Sequence, residues 1–434
     1  MYRCGMQRYI LCRDLQLKYT MDKKKFSLLL GMVMTFSSVS ATSLDINVGN
    51  AGSLRSLLAD KTVGLTGLTL SGNLNGDDIL YLRELSGTTI EGDETEDGIL
   101  EMLDMKNARI VAGGGPYYSF YWDEYETEDD IIGAYMFYGC HTLKRVVLPD
   151  DVTAIGDNAF DTAKSLTGIV IGDKVESIGE MAFNDAGLSS IVLPESVAEL
   201  GDMAFYNCQN LETARLSDNI RKINYGTFYY CVSLKEVNVP LRAESIGINA
   251  FHYCSALEKL EIPASMEKIS DSAFGMCLSI TEFVVNENNS FYTDVEGVLY
   301  DKAVTKIYKY PIGRPEDDYS LPATVTTIMR GAFEESRLHT VIIGYGVNEI
   351  GESAFFNCKQ LENVTLSSSL SSLPRQCFFG CNSLKTIEFP ASVSELGESA
   401  FMTSGLEKVK VPEGVSKIPE GCFYAGWTSP VLAV

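Results

Sequence analysis

Basic residues are scarce in this sequence. It holds 35 Lys and Arg against 58 Asp and Glu, for a formal net charge of −23. Seven of the basic residues fall within the first 41 positions, so the remainder carries 28 basic and 56 acidic residues, a net charge of −28. No basic stripe is present that would release counterions from a phosphate backbone. We therefore expect no nucleic-acid partner.

Catalytic motifs are also lacking. The three histidines, His141, His252 and His339, lie far apart, and the sequence has no G-x-S-x-G, H-E-x-x-H, P-loop or dinucleotide fingerprint. Cys140 stands beside His141, but adjacent residues of an extended segment point to opposite faces. Carboxylate pairs abound in so acidic a chain, and none is singled out for glycoside hydrolysis. We predict no enzymatic activity, no catalytic or metal site and no cofactor.

Long apolar runs are missing except near the N-terminus. From Met21 the chain has three lysines, an apolar run from Phe26 to Val39, and a small-residue sequence ending at Ala41. The run is shorter than the roughly 20 residues of a membrane-spanning helix, and its order is typical of a secretory signal. We predict Met21 as the true start, cleavage after Ala41, and export to the periplasm, cell surface or medium without membrane insertion.

A repeat of 22 or 23 residues occupies most of the remaining chain. Units share Ile-Gly, then Ala-Phe, then usually Cys, then Leu, then a short alternating run ending near Pro. Successive phenylalanines are 22 or 23 residues apart, except for a gap of 59. They stand at Phe137, Phe160, Phe183, Phe205, Phe228, Phe251, Phe274, Phe333, Phe355, Phe378, Phe401 and Phe423.

Such units are too short to bury their own apolar face, but stacked units can bury a continuous one. The alternating run predicts a strand in each unit, and stacked strands form a parallel sheet. The regularity predicts a β-rich solenoid of about 12 coils. A phenylalanine at one position in every coil predicts a spine of stacked rings. We assign to this spine Phe160, Phe183, Phe205, Phe228, Phe251 and Phe355.

The units resemble the leucine-rich repeats of BspA-like bacterial surface proteins. The pattern L-x-x-V-x-L-P-x-S-V-x-x-I-G-x-x-A-F-x-x-C is legible in "LSSIVLPESVAELGDMAFYNC" and "LKTIEFPASVSELGESAF", and it covers residues 131–424. The resemblance implies a leucine-rich-repeat solenoid. It further implies an exported, non-enzymatic surface protein that binds host or bacterial partners, often in adhesion.

The positions of the repeats divide the chain into three predicted regions. Residues 1–41 form the leader, 42–130 an N-terminal capping region with irregular leucine-rich coils, and 131–434 the repeats. Residues 286–327 lengthen one repeat by about 36 residues, and their two strand-like runs predict a hairpin-like insertion.

Seven of the nine cysteines after residue 41 stand three residues after the repeat phenylalanine. Buried thiols that act as small core residues explain this placement. Disulfides between adjacent coils, such as Cys231 with Cys254, are the alternative in an oxidising compartment. The spacing of Cys377 and Cys381 suits zinc, but both follow the repeat, so a structural role is favoured.

Candidate binding residues lie in three places. An outward valine stripe on the first strands is either a partner site or the seat of the cap. The insertion is rich in tyrosine and serves either to patch the sheet edge or to contact a partner. Residues 113–130, "GGGPYYSFYWDEYETEDD", predict an exit loop of the cap; its aromatic residues either cover the sheet edge or, with Asp123, Glu124 and Glu126, form a sugar-stacking or calcium loop. The candidate partner-binding residues are Tyr121, Trp122, Val147, Val170, Val192, Tyr300, Tyr308 and Tyr310.

The sequence therefore predicts an exported, non-catalytic module that binds a protein or glycan. A structural component of the cell envelope is the alternative, and a secreted hydrolase is the third hypothesis. Repeat architecture fixes a surface but does not name its target.

Overall fold

A computed structural model describes residues 42–424 and 431–433 of the chain. The predicted leader, residues 1–41, lies outside them. Among the described residues, neither of the two helices has the length or apolar composition needed to cross a bilayer.

The N-terminal region contains both helices. It comprises β1 (Thr42–Val48), α1 (Leu54–Leu58), β2 (Leu65–Leu74), α2 (Gly76–Leu85), β3 (Met102–Ile110), β4 (Tyr118–Phe120) and β5 (Asp123–Tyr125).

The repeats that precede the insertion supply two short strands per coil in most cases. They comprise β6 (Ile131–Ile132), β7 (Arg145–Val147), β8 (Ala154–Ile155), β9 (Gly168–Val170), β10 (Ser177–Ile178), β11 (Ser190–Val192), β12 (Glu199–Leu200), β13 (Thr213–Arg215), β14 (Lys222–Ile223), β15 (Glu236–Val237), β16 (Ser245–Ile246), β17 (Lys259–Ile262), β18 (Lys268–Ile269) and β19 (Glu282–Val285).

The insertion and the later repeats complete the chain. The insertion comprises β20 (Tyr292–Val295), β21 (Val298–Asp301), β22 (Lys306–Lys309) and β23 (Asp318–Ser320). The later repeats comprise β24 (Thr327–Ile328), β25 (Thr340–Ile342), β26 (Glu349–Ile350), β27 (Asn363–Thr365), β28 (Ser372–Leu373), β29 (Glu395–Leu396), β30 (Lys408–Lys410) and β31 (Val431–Ala433).

The strands stack in two parallel rows, one from each half of the repeat. In the first row, β7 pairs with β9 and β11 with β13, with Val147 opposite Val170 and Val192 opposite Arg215. In the second row, β6, β8, β10 and β12 pair in sequence order. The predicted leucine-rich-repeat solenoid is confirmed.

The solenoid has about 15 turns, rather than the predicted 12 or so. One reason is that β2 and β3 pair in parallel, and β3 pairs in parallel with β7. The irregular N-terminal coils therefore belong to the same sheet as the repeats. The insertion is the second reason, because β22 pairs in parallel with β24 and so continues the second row.

In most coils the turn that carries the repeat phenylalanine bends at two residues with positive φ. Asn158 and Thr162 (φ 54° and 57°) flank Phe160, and Met203 and Asn207 (φ 54° and 56°) flank Phe205. The residues two positions before and two positions after the phenylalanine therefore take a left-handed backbone conformation, which few residues other than glycine adopt readily. The phenylalanine itself points inward, and its N–H donates to a carbonyl of the next coil, as Phe160 does to Ala182 at 2.7 Å.

The inward rings form two stacks, one on each side of the insertion. From Phe137 to Phe274, successive ring centroids lie 5.2 to 5.9 Å apart with interplanar angles of 4° to 19°. From Phe333 to Phe423 the spacing is 4.9 to 5.4 Å. All six phenylalanines assigned to the spine are buried members of these stacks.

The insertion divides the core and is itself part of it. β20, β21 and β22 form an antiparallel meander, with a turn at Glu296 and Gly297 (φ 50° and 81°). At the end of the first stack, Phe274 contacts Phe283 at 5.1 Å. Tyr310 begins the second stack, 5.5 Å from Phe333. The buried apolar residues accordingly form two clusters that meet in this meander.

Candidate functional site

The predicted exit loop, residues 113–130, contains a β-hairpin. β4 and β5 pair antiparallel, with Phe120 opposite Asp123, so Tyr121 and Trp122 form a two-residue turn. Tyr121 has φ 56°, a left-handed conformation that is uncommon for a bulky residue. The pairing projects the most aromatic segment of the chain as a separate element.

Buried tyrosines fix the base of the hairpin. The Tyr117 hydroxyl donates to the Ala134 carbonyl at 2.8 Å, and burial raises the pKa of Tyr117 above its ordinary value. Tyr118 stacks on Tyr135 with ring centroids 4.9 Å apart, and Tyr125 lies edge-on to Tyr135 at 5.0 Å. Hydroxyl and ring contacts thus hold the hairpin to the first coil.

The tip of the hairpin is exposed. Tyr121 is 83% and Trp122 is 96% exposed, and Phe120 beside them is half exposed. Trp122 therefore covers no sheet edge, and the interpretation of the tip residues as edge cover is wrong. The buried aromatic residues are Tyr117 and Tyr118 at the base. We find no group of three metal-ligating side chains anywhere in the described part of the chain, this hairpin included.

The outward valines form one row on the first strands. Val147 is opposite Val170, which is more than one third exposed, and Val192 lies further along and is partly buried. On the N-terminal side the row continues at Asp104 of β3, which is opposite Val147. On the other side it continues at Arg215. The stripe is therefore a short apolar interval between two charged residues.

The three candidate tyrosines of the insertion, Tyr300, Tyr308 and Tyr310, have different environments. Tyr300 and Tyr310 are fully buried, and the Tyr300 hydroxyl is hydrogen-bonded to that of Tyr319. Because both rings belong to the core, neither can contact a partner in this structure. Tyr308 is partly buried and lies edge-on to Tyr292 at 5.1 Å.

The cysteines form a ladder of buried free thiols. All nine in the described residues are free and buried. The thiols of six of the seven ladder cysteines donate to the phenylalanine carbonyl of the preceding coil, as Cys231 does to Phe205 at 3.1 Å and Cys358 to Phe333 at 3.0 Å. Burial raises the pKa of Cys208 and Cys277 to about 12. These thiols stay protonated at neutral pH, so they serve as core hydrogen-bond donors.

We expect iodoacetamide to leave these nine cysteines unmodified in the native protein and to modify all nine after denaturation. The thiolate is the reactive form, and burial makes all nine thiols inaccessible to the reagent. Peptide mapping by mass spectrometry measures the modification site by site. A Tyr345→Cys variant is the control, because Tyr345 is exposed and its replacement should react in the native state. Disulfide-linked peptides, or rapid modification of the native ladder, would contradict the thiol ladder.

Cys140 and His141 do not form a reactive pair. Cys140 is fully buried, and burial raises the pKa of its thiol to about 11. His141 points elsewhere, with Nε2 3.6 Å from a Glu94 carboxylate oxygen. Cys377 and Cys381 are also buried, and Cys381 donates to the Phe355 carbonyl at 3.1 Å.

A second aromatic surface was missed in the sequence. It lies on the turns of the coils that contain Phe228 and Phe251, and we call it the tyrosine patch. Side chains three residues before, one after and two after each phenylalanine form it. They are Tyr225, Tyr229, Tyr230, Ile248, His252 and Tyr253. The signal was present, since these residues occupy equivalent positions of two successive repeats.

Comparison with known families gives one match. The model of the BspA type leucine rich repeat region matches six copies, over residues 130–247, 178–297 and 317–426. Together these ranges cover more than half of the chain. No curated protein is similar enough to count as a match.

Eighteen chains of solved structures match this fold, among them two bacterial proteins. A leucine rich cell surface protein from Faecalibacterium prausnitzii A2-165 is 29% identical with a TM-score of 0.63, over 75% of this chain and 85% of that one. The pneumococcal vaccine antigen PcpA is 25% identical with a TM-score of 0.52, over 64% of each chain.

Proposed function

This chain belongs to the BspA-type leucine-rich repeat family, and from that premise we propose that it is an exported, non-catalytic module that binds a host or bacterial protein or glycan. The observation that carries the proposal is the hairpin tip, where Tyr121 and Trp122 are exposed on a base fixed by buried tyrosines. Trp and Tyr are the residues most enriched among binding hot spots, and a rigid base lowers the entropy lost on binding.

Export is supported by two observations. The segment from Met21 to Ala41 has the order of a secretory signal. A similar solved structure, that from Faecalibacterium prausnitzii, is described as a cell surface protein. In this proposal residues 1–41 are removed on export, residues 42–130 cap the array, and residues 131–434 form the repeats.

The valine stripe and Tyr308 are secondary candidates. Val147, Val170 and Val192 present a small apolar surface on the sheet, and Tyr308 is partly accessible on the insertion. Each is less exposed than Trp122, so we expect them to contribute to a contact rather than to anchor it.

We expect Trp122→Ala to weaken ligand binding about tenfold or more while changing the free energy of unfolding by less than about 0.5 kcal/mol. The reason is that an indole so fully exposed makes few contacts within the fold. Binding of the purified full chain to arrays of matrix proteins and host glycans measures the first effect. Thermal and urea unfolding measure the second.

Tyr345→Ala provides the matched control, because Tyr345 is an exposed aromatic residue outside the hairpin. Equal binding by the Trp122→Ala variant and the unaltered chain would show that the binding site does not include the hairpin tip. Absence of binding to every array member would favour a structural component of the cell envelope. Turnover of an arrayed glycan would favour a hydrolase.

A further inference from the structure

The tyrosine patch is a compact aromatic surface built from two successive coils. Tyr229 lies between Tyr206 and His252, with ring centroids 5.2 and 5.3 Å away and nearly parallel planes. Tyr230 and Tyr253 form a second stack at 4.3 Å. The two stacks are inclined to each other, with Tyr229 and Tyr230 at 58°. Both layers are therefore held in place before any ligand arrives.

One edge of the patch is prominent. Tyr225 is 44% and Ile248 is 56% exposed, and they occupy the same position in neighbouring coils. In other nearby coils that position holds a carboxylate, namely Asp157, Glu180, Asp202 and Asp271. The Asp202 carboxylate accepts a hydrogen bond from the Tyr225 N–H at 3.2 Å, which places it against the patch. Tyr225 and Ile248 thus form an apolar surface within a row of acidic residues.

The patch itself carries no charge at neutral pH. Burial raises the pKa of Tyr229, and the hydrogen bond with Tyr230 raises the pKa of Tyr253. Burial lowers the pKa of His252, so its imidazole is neutral. The phenol oxygens remain hydrogen-bond acceptors. The surface therefore combines neutral aromatic rings with acceptor oxygens and an acidic rim.

We propose that the tyrosine patch binds a basic segment of a partner protein, with an Arg or Lys side chain against Tyr225 and the rim carboxylates. A guanidinium is attracted to an aromatic face, donates to phenol and carboxylate oxygens, and is enriched with Tyr at binding hot spots. This surface is distinct from the hairpin tip, and its function does not depend on the proposed site there.

Two other occupants fit less well. Several stacked sugars need several free ring faces, but both faces of Tyr229 are occupied by neighbouring rings, which leaves Tyr225 as the most exposed ring of the patch. A second copy of this chain brings a similar acidic surface, since residues 42–434 carry 28 basic and 56 acidic residues. Like-charged surfaces repel on approach. A basic partner avoids both difficulties.

The test is selection of peptides from a random phage-displayed library on the full chain, with counter-selection on a Tyr225→Ser, Ile248→Ser double variant. We expect the peptides that depend on the patch to be enriched in Arg and Lys. Fluorescence anisotropy with synthetic copies of these peptides should show binding weakened about tenfold or more by the double variant.

The matched control is an Ile342→Ser, Tyr345→Ser double variant, which removes the same two residue types from exposed positions elsewhere. We expect it to bind the peptides as the unaltered chain does, and we expect a Trp122→Ala variant to do the same. Patch-dependent peptides without basic enrichment would overturn the proposal. So would basic peptides that bind both double variants equally, since bulk charge would then explain them, or glycans whose binding requires Tyr225 and Ile248.

Discussion

Replacing Phe228 by alanine is expected to lower the free energy of unfolding by about 3 to 5 kcal/mol. Phe228 is fully buried in the first stack, 5.5 Å from both Phe205 and Phe251. Alanine leaves a cavity that the fixed period of the coils prevents from closing, and it removes two ring contacts. In a solenoid each coil is stabilised by its neighbours, so the loss also weakens the coils of Phe205 and Phe251.

Differential scanning calorimetry and urea unfolding measure this loss. Phe291→Ala is the matched control, because Phe291 is half exposed and lies outside both stacks, and its replacement should change stability by less than about 0.5 kcal/mol. A Phe228→Ala, Phe251→Ala double variant should lose less than the sum of the single losses, since the two rings share one contact. An unaltered melting temperature for Phe228→Ala would contradict the spine as a source of stability.

The spine and the parallel sheet could be predicted because they depend only on recurrence. A phenylalanine every 22 or 23 residues, with an alternating run at a fixed offset, specifies stacked coils whatever the other residues are. Burial of Phe228 and its neighbours follows directly from that period.

The structure of the insertion could not be predicted in the same way, because the insertion interrupts the repeat period. Phe274 stands five positions after Ile269 in a regular coil, whereas Tyr310 stands three positions after Ile307. Only the pairing of β22 with β24 shows that Tyr310 continues the ring stack. The candidate tyrosines therefore suggested a surface, although Tyr300 and Tyr310 are core residues.

The hairpin and the tyrosine patch were missed for different reasons. Tyr121 and Trp122 lack the Asn-Gly type of turn chemistry that indicates a two-residue hairpin, and positive φ at tyrosine is seldom expected. In the patch, Tyr229 and His252 are 23 residues apart and differ in type. Their contact can be predicted only when the residues at equivalent positions of successive coils are compared.

Replacing Arg83 by methionine is expected to lower the free energy of unfolding by about 3 to 5 kcal/mol, because it removes several hydrogen bonds from a charged donor that contribute about 1.5 to 3 kcal/mol each. Arg83 lies on α2, is fully buried, and donates to the carbonyls of Tyr135 at 2.9 Å and Thr89 at 3.0 Å. It also donates to the Met136 and Tyr138 carbonyls at 3.3 and 3.2 Å. Methionine fills a similar volume but donates nothing, so all four carbonyls lose a charged donor, although those of Tyr135 and Thr89 still accept from the Tyr138 and Gly92 N–H groups.

The segment that unfolds first in the Arg83→Met variant distinguishes this prediction from a general loss of stability. Arg83 joins α2 and residues 86–99 to the first repeat coil, so limited proteolysis of the Arg83→Met variant should begin within residues 86–99 while the later repeats stay resistant. Arg55→Met is the matched control: Arg55 pairs with Glu84 at 2.6 Å on the surface, and such pairs contribute less than about 1 kcal/mol.

Arg83→Lys should behave like Arg83→Met, because a single ammonium cannot reach carbonyls on both sides of the site as the planar guanidinium does. Stability retained by Arg83→Lys would show that buried charge alone, rather than the fork of donors, joins the cap to the repeats.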